Sequence, residues 1–467
     1  KADYKAGQNV TVSKTLTLYA VYKKLPYTVT FNNNNGTSTS KIYTSLTMYA
    51  SKNQKVTLPD VPKVKGYTNL GWTTEKGETE PEYSAGDTVK ITKATQFYAV
   101  RRKSNYYTVS YYLGNGSTNA AYQKLTQTVE EGTVVTFAKV PARTGYVNQG
   151  WSSKKNSEKA TAKAKCTVNK NITLYAVQKK AVQLTFHRCD GSTWQKTTLA
   201  KGSSYSLPGV RDAEGYTFMG WSTKPMQSVS PQYEAEEKIT VNGNVDLYAV
   251  VFNRTTETDL TEDQLPQVDI YKYKQVIFVG DSRTEFMENV LTGMGESATK
   301  NVKFVCSAGK GLDWFTTTGW AQLYSIVQHD SNSILSKKTA VIFNFGVNDL
   351  SKSADYAEYY NWIAPQLKSK GCELYFMSVN PVNRLMLPNA GRADRSEAAV
   401  RSFNQYMKAN LPSAYTYIDM YSYLKSTGYS FASDHYGTGT VDDGLHYTTR
   451  TYKRIFAKCM DSLRVPA

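Results

Sequence analysis

Residue types that together can cleave an ester occur in order along the second half of the chain. They are Ser282 in Gly280-Asp281-Ser282, Asn348 in Gly346-Val347-Asn348-Asp349, and Asp443 with His446 in Asp443-Gly444-Leu445-His446. A serine hydroxyl is a poor nucleophile near neutral pH unless an imidazole accepts its proton, and the imidazole needs a carboxylate to fix its tautomer. One turn of chain can place the Asp443 and His446 side chains on the same side, and an Asn348 amide can donate to a developing oxyanion. A local alternative exists for the serine, because Ser282-Arg283-Thr284-Glu285 also reads as a capping box with Ser at the N-cap and Glu at N3. His435, after Asp434, is a rival base without a matching spacing, and no Gly-x-Ser-x-Gly elbow occurs in the sequence.

The elements that must position these residues follow from the hydrophobic pattern. Segments 275–280, 302–306, 340–346, 373–380 and 415–418 read as strands, and 356–370 and 395–411 read as helices. Five strands with helical crossovers predict an α/β three-layer, doubly wound parallel sheet, whose sites lie at the carboxyl ends of strands. The serine and asparagine blocks sit at two such ends. Trp314, Phe315 and Trp320 can either wall an acyl or sugar site or pack within the following helix.

These blocks resemble the SGNH (GDSL-type) hydrolase family over residues 275–467, with a flavodoxin-like sheet. The resemblance implies Ser282 as nucleophile, His446 as general base and Asp443 as its orienter. It implies an oxyanion hole of the Ser282 backbone N–H, a glycine of the second block (Gly311 favoured over Gly309) and Asn348. This chain departs from the family in two places. Arg283 replaces the common Leu after the serine, and the second block is Ser307-Ala308-Gly309-Lys310-Gly311 rather than an Asn-led segment.

The first half is repetitive. Gly66-Tyr67-x-x-x-Gly71-Trp72 recurs as Gly145-Tyr146-x-x-x-Gly150-Trp151 and Gly215-Tyr216-x-x-x-Gly220-Trp221, and Tyr-Ala-Val closes units at Tyr19, Tyr98, Tyr175 and Tyr248. Each unit opens on an alternating strand, so the modules are small and mainly β, with the tryptophans expected in their cores. The order of motifs resembles the Listeria/Bacteroides repeat, the B-repeat of internalin-like surface proteins. That resemblance implies a β-grasp-like module, secretion, and use as a stalk or adhesive spacer on a bacterial surface. The expected domains are a repeat tail at 1–24, with the natural chain extending further N-terminally, repeats at 25–103, 104–180 and 181–253, a polar linker at 254–274 and the hydrolase at 275–467. Repeat 3 carries Glu236 and Glu237 where repeat 1 has Gly86 and Asp87, a departure expected where it abuts another domain.

Charge separates the halves. Residues 1–253 hold 33 basic and 17 acidic residues, against 23 and 22 in the remainder. A basic, Tyr-rich first half suits an anionic cell-wall polymer or host glycan, or else a solvated stalk. Nucleic acid is the weakest polyanion because no DNA-binding motif accompanies the charge. The longest apolar runs are far too short to span a bilayer. Five cysteines without CxxC spacing and four scattered histidines predict neither a disulfide framework nor a metal site, and no cofactor is expected. The combined expectation is a secreted or cell-surface serine esterase acting on a short acyl ester, acetyl on a glycan. The alternatives are a surface adhesin with a silent SGNH-like domain, and an acyltransferase or lipase using the same triad.

Overall fold

A computed structural model describes residues 3–22, 27–35, 40–327, 337–387, 395–433 and 442–464. The chain divides into two compact units, Lys1–Lys179 and Lys180–Ala467. The first contains repeats 1 and 2. The second contains repeat 3 together with the α/β domain. Residues 3–22 form no strand or helix, since among the described residues no strand pairs with their Tyr-Ala-Val segment.

Each repeat is mainly β, around one tryptophan. In repeat 1, strand Tyr27–Asn33 lies between Met48–Ala50 and Thr95–Lys103, which in turn pairs with Tyr67–Thr73. Trp72, Trp151 and Trp221 are buried, and each indole N–H donates to a carbonyl thirteen residues upstream, Pro59, Ala138 or Pro208, at 2.6–2.8 Å. Their core role satisfies the polar edge of a large apolar ring.

In the α/β domain we label β1 (Tyr273–Gly280), α1 (Ser282–Thr292), β2 (Val302–Cys306), β3 (Lys338–Asn344), α2 (Ser353–Lys368), β4 (Cys372–Met377), α3 (Glu397–Asn410), β5 (Tyr415–Ile418), α4 (Met420–Thr427) and α5 (Thr449–Ser462). The sheet order is β2-β1-β3-β4-β5, all parallel. β1 and β3 are continuous apolar runs because helices cover both faces, giving one buried cluster with α2 and α3 and another with α1 and α5. The order reverses between β1 and β3, and the crevice at that switch point is where this fold places ligands. Ser282 follows β1. Gly346–Asp349 follows β3.

Residues 254–274 are not a free linker. Glu257, Leu265 and Val268 are buried there. Glu257 accepts from Ser430, Thr451 and Arg454, at 2.5, 2.5 and 2.9 Å. Its polar composition masks this role because the charge is neutralised inside by Arg454.

Repeat 3 is built onto the α/β domain. Met219, Val250 and Phe252 belong to the same apolar cluster as β1 and α5, and Phe252 lies against Gly428, where any side chain would collide with its ring. Lys425 is buried, ion-paired to Glu234 at 2.7 Å and bonded to the Met219 carbonyl. Glu236 accepts from Arg384 (3.1 Å) and from the Ala398 N–H (3.3 Å), while Glu237 accepts from the Glu234 N–H at 2.8 Å, as Asp87 does from Ser84 in repeat 1. The Glu pair thus keeps the turn and adds a docking carboxylate. Glu236 does so in a left-handed conformation (φ 62°) where repeat 1 has Gly86.

Truncation should reveal this division. A chain starting at residue 180 should fold with the thermal transition of its α/β domain unchanged. One starting at residue 254 should lose several kcal/mol, because it removes Phe252 from a core (~3–5 kcal/mol) and leaves Lys425 without Glu234. Equal Tm values for the two truncations would contradict the docking.

Candidate active site

β1 delivers the chain to Gly280, where a side chain would lie 1.9 Å from Thr284 Oγ1 and 2.7 Å from the Asn344 carbonyl. Only glycine allows so sharp a strand-to-helix turn. Asp281, rather than Ser282, caps α1, its carboxylate accepting from the Arg283 N–H at 3.0 Å. Glu285 accepts instead from the Ala308 N–H at 2.6 Å, so the capping box read from the sequence does not form. This leaves the Ser282 hydroxyl uncommitted to the helix end. Burial raises the Asp281 carboxyl to about 6, against the lowering effect of nearby Arg283.

Ser282 Oγ lies 2.9 Å from His446 Nε2, and His446 Nδ1 lies 2.6 Å from Asp443 Oδ2. All three residues are buried. The second Asp443 oxygen accepts from the backbone N–H groups of Leu445 (2.8 Å) and His446 (2.7 Å), which locks the carboxylate inside its own turn. Burial alone would raise the Asp443 carboxyl, but the hydrogen bond and charge of His446 with these two N–H groups hold it below its usual range. An ionised carboxylate on Nδ1 makes that nitrogen the donor and leaves Nε2 to accept from the serine. The pair sits on strand Asp442–Tyr447, which runs antiparallel to Phe431–Ser433, and Gly444 (φ 67°) bends it against the Asn383 carbonyl. Phe286, one turn along α1 from Ser282, meets the His446 ring edge-on at 4.5 Å.

Arg283 is the residue whose part the sequence did not reveal. It is buried, and it donates to the carbonyls of Leu445 (3.0 Å), Asn380 (2.9 Å) and Pro381 (2.9 Å), with its guanidinium over the Tyr447 ring. One side chain therefore fastens the helix bearing Ser282 to the turn bearing Asp443 and His446 and to the segment after β4. The replacement of the family's leucine at this position was the signal.

Asn348 Oδ1 accepts from Arg395 at 2.6 Å and Nδ2 donates to the Lys310 carbonyl at 2.8 Å. An amide nitrogen has two protons, so among the described residues one N–H remains for a ligand. Asp349 accepts from the Leu312 N–H and the Tyr356 hydroxyl, both at 2.8 Å, and a side chain at Gly311 would lie 2.4 Å from its carboxylate. Gly311 is thus forced by close packing, whereas Gly309 adopts φ 70° in open space. Phe315 is fully buried and stacks on Phe345, Trp314 lies partly buried against the same cluster, and Trp320 packs on Tyr324 and Trp362. These rings pack against Phe345, Tyr324 and Trp362. His435 lies outside the described residues. Among the described residues no cluster of potential ligands could hold a metal ion.

Residues 276–459 match the GDSL-like lipase/acylhydrolase family, and residues 27–100, 107–177 and 183–250 match the Listeria-Bacteroides repeat domain. The chain carries a GDSL-type hydrolase domain behind three such repeats. A candidate Gly-rich membrane protein of Evansella cellulosilytica is 28% identical over 237 residues, 50% of this chain and 26% of that protein. The chain spans about a quarter to a third of the curated relatives it matches. Among solved structures, a candidate acylhydrolase from Bacteroides fragilis is similar at 17% identity, covering 44% of this chain and 92% of its own, with a TM-score of 0.29. A candidate SGNH hydrolase from Slackia heliotrinireducens is similar at 12% identity, covering 41% and 100%, also at 0.29. No helix among the described residues is long and apolar enough to cross a membrane.

The GDSL-type domain should respond to Arg283 in a specific way. Arg283→Met removes the guanidinium donor from the buried Leu445 and Asn380 carbonyls, roughly 1–3 kcal/mol each, while Pro381 keeps the Tyr447 hydroxyl, and it frees the histidine turn. Turnover should fall at least tenfold with KM little changed, while Ser282→Ala, which breaks no cap, should cost about 1 kcal/mol or less in stability. Kinetics and urea melts of both variants check this; an Arg283→Met enzyme with wild-type kcat would remove the clamp from the account.

Proposed function

We propose that this chain is a secreted or cell-surface serine esterase that hydrolyses a short acyl ester, acetyl on a glycan, with the repeats as basic stalk or wall-binding modules. The observation that carries the reading is the continuous chain Asp443–His446–Ser282, made of two short hydrogen bonds between buried groups. In the proposed reaction Ser282 Oγ attacks the ester carbonyl while its proton passes to His446 Nε2, and Asp443 stabilises the imidazolium that forms. The tetrahedral oxyanion is met by the Ser282 backbone N–H, by Gly311 or Gly309, and by the remaining Asn348 N–H. Collapse expels the alcohol, which takes its proton from His446. Water, deprotonated by the same imidazole, then hydrolyses the acyl-enzyme. An adhesin with a silent domain is disfavoured, because a binding fold has no need of a serine, imidazole and carboxylate in this order.

A second reading, an acyltransferase or lipase handling longer chains, is favoured by one feature. A groove of about 590 Å³ begins at Phe286, against His446, and runs past Val290, Met294 and Ala432. Its apolar walls could receive an acyl tail. The location at a bacterial surface rests on the repeats and on the basic balance of the first half.

Two experiments test this. Asn348→Ala should reduce kcat by roughly 10²–10³ with little change in KM, as expected for a group acting on charge that develops in the transition state. A large KM rise at constant kcat would make Asn348 a substrate-binding residue. Across p-nitrophenyl esters from acetate to decanoate, kcat/KM should be highest at acetate and indifferent to Val290→Trp. A maximum at long chains that Val290→Trp abolishes would establish the groove as the acyl site and the second reading as correct.

A further inference from the structure

Repeat 3 departs from its two companions at one place in its core. In repeat 1, Arg101 is hydrogen-bonded to Asn69 (2.8 Å), to the Tyr43 hydroxyl and to the Pro62 carbonyl (both 2.6 Å). In repeat 2, Gln178 at the equivalent position is bonded to Asn148 (2.7 Å) and to the Pro141 carbonyl (3.0 Å). Tyr43 and Tyr122 come from short helices, Lys41–Thr44 and Ala120–Gln123, whose tyrosines are buried in the same cores as Trp72 and Trp151. A polar plug thus closes this corner of both modules.

In repeat 3 every part of that plug is replaced. The arginine or glutamine becomes Val251, the asparagine becomes Phe218, and the short helix becomes strand Thr193–Ala200, which brings Trp194 instead of a tyrosine. The result is a cleft of about 220 Å³. Its walls are Phe218, Val251 and Trp194, which stacks on buried Trp221 at 5.8 Å and is itself 40% exposed. Arg188 and Arg211 stand at its rim, both exposed. Exposing apolar surface in this way is unfavourable, at about 25 cal/mol per Å², unless something covers it.

We propose that this cleft binds an amphipathic carboxylate, with its apolar body against Trp194, Phe218 and Val251 and its anionic head at Arg188. The volume suits an aromatic or aliphatic body of roughly ten heavy atoms, and a rim arginine can grip a carboxylate bidentately. A sugar ring fits less well, since Phe218 and Val251 offer no hydrogen-bonding atoms and Trp194 offers one, its indole N–H, against the several hydroxyls of a sugar. Arg211 donates to the Leu385 carbonyl at 2.5 Å, whereas Arg188 uses Nη1 alone, in two long bonds to Ser192 Oγ (3.3 Å) and the Thr193 carbonyl (3.4 Å), so Arg188 is the principal anion contact. The site lies apart from Ser282 in sequence and in function. It is a binding site, and it holds whether or not the esterase reading does.

The test uses the full chain, with 3-phenylpropanoate as probe, 3-phenylpropanol as its neutral counterpart, and tryptophan fluorescence and calorimetry as readouts. Saturable binding of the acid, at least fivefold tighter than the alcohol, is expected. Arg188→Gln should remove that preference, and Val251→Arg, which puts the arginine of repeat 1 into the cleft, should abolish binding of both. Turnover of p-nitrophenyl acetate by both variants should be that of the wild type, a check that they fold. Equal affinity for acid and alcohol, no saturable binding, or binding that survives Val251→Arg would each overturn the proposal.

Discussion

The arrangement depends on keeping Ser282 and His446 at hydrogen-bond distance although 164 residues separate them in the chain. The serine stands at the first turn of a helix fixed to the sheet, and the histidine on a short strand near the other end of the domain. Several interactions converge on this constraint. Arg283 fastens α1 to the Leu445 carbonyl, Asn383 N–H donates to the Gly444 carbonyl at 2.8 Å, and Asp443 turns its spare oxygen onto the backbone that follows. The proposed activation of Ser282 by His446 needs such support, because reaction rates fall steeply with misplacement.

That support extends into repeat 3. Asn383, which steadies Gly444, also donates to the Val210 carbonyl (3.1 Å) and to Asp212 (2.9 Å), and its neighbour Arg384 is paired with Glu236. The third repeat therefore braces the loop against which the histidine turn rests. This explains why its sequence drifts from the other two: it carries docking carboxylates and apolar side chains that join the core of the α/β domain. The copy adjoining the α/β domain keeps the repeat motifs but differs where it docks.

Much of this was legible from sequence. The five strands were, because apolar runs in a doubly covered sheet are continuous and end at glycine or polar residues, as at Gly280. The grouping of Ser282, His446 and Asp443 was, because only a few residue types can activate a serine and these three occur in order. The tertiary hydrogen bonds were not. Ser282-x-x-Glu285 matches a capping box by type, yet Asp281 one residue earlier competes for the N-cap and wins, while Glu285 finds the Ala308 N–H across a loop. Residues 254–274 look like a linker because a buried Glu257 has the same letter as an exposed one, and its partners Ser430, Thr451 and Arg454 lie far along the chain. Arg283 was visible as a departure from the family, but a sequence does not say which carbonyls a buried guanidinium will reach.

The central claim is that Ser282 is a nucleophile activated by His446. It is tested most directly by treating the full chain with a fluorophosphonate and mapping the adduct by peptide mass spectrometry. The expected result is one adduct per chain, on Ser282, formed at a rate that rises with pH as the imidazole loses its proton and that falls by orders of magnitude in His446→Ala. An adduct on another residue, or labelling of Ser282 at the same rate without His446, would contradict the account.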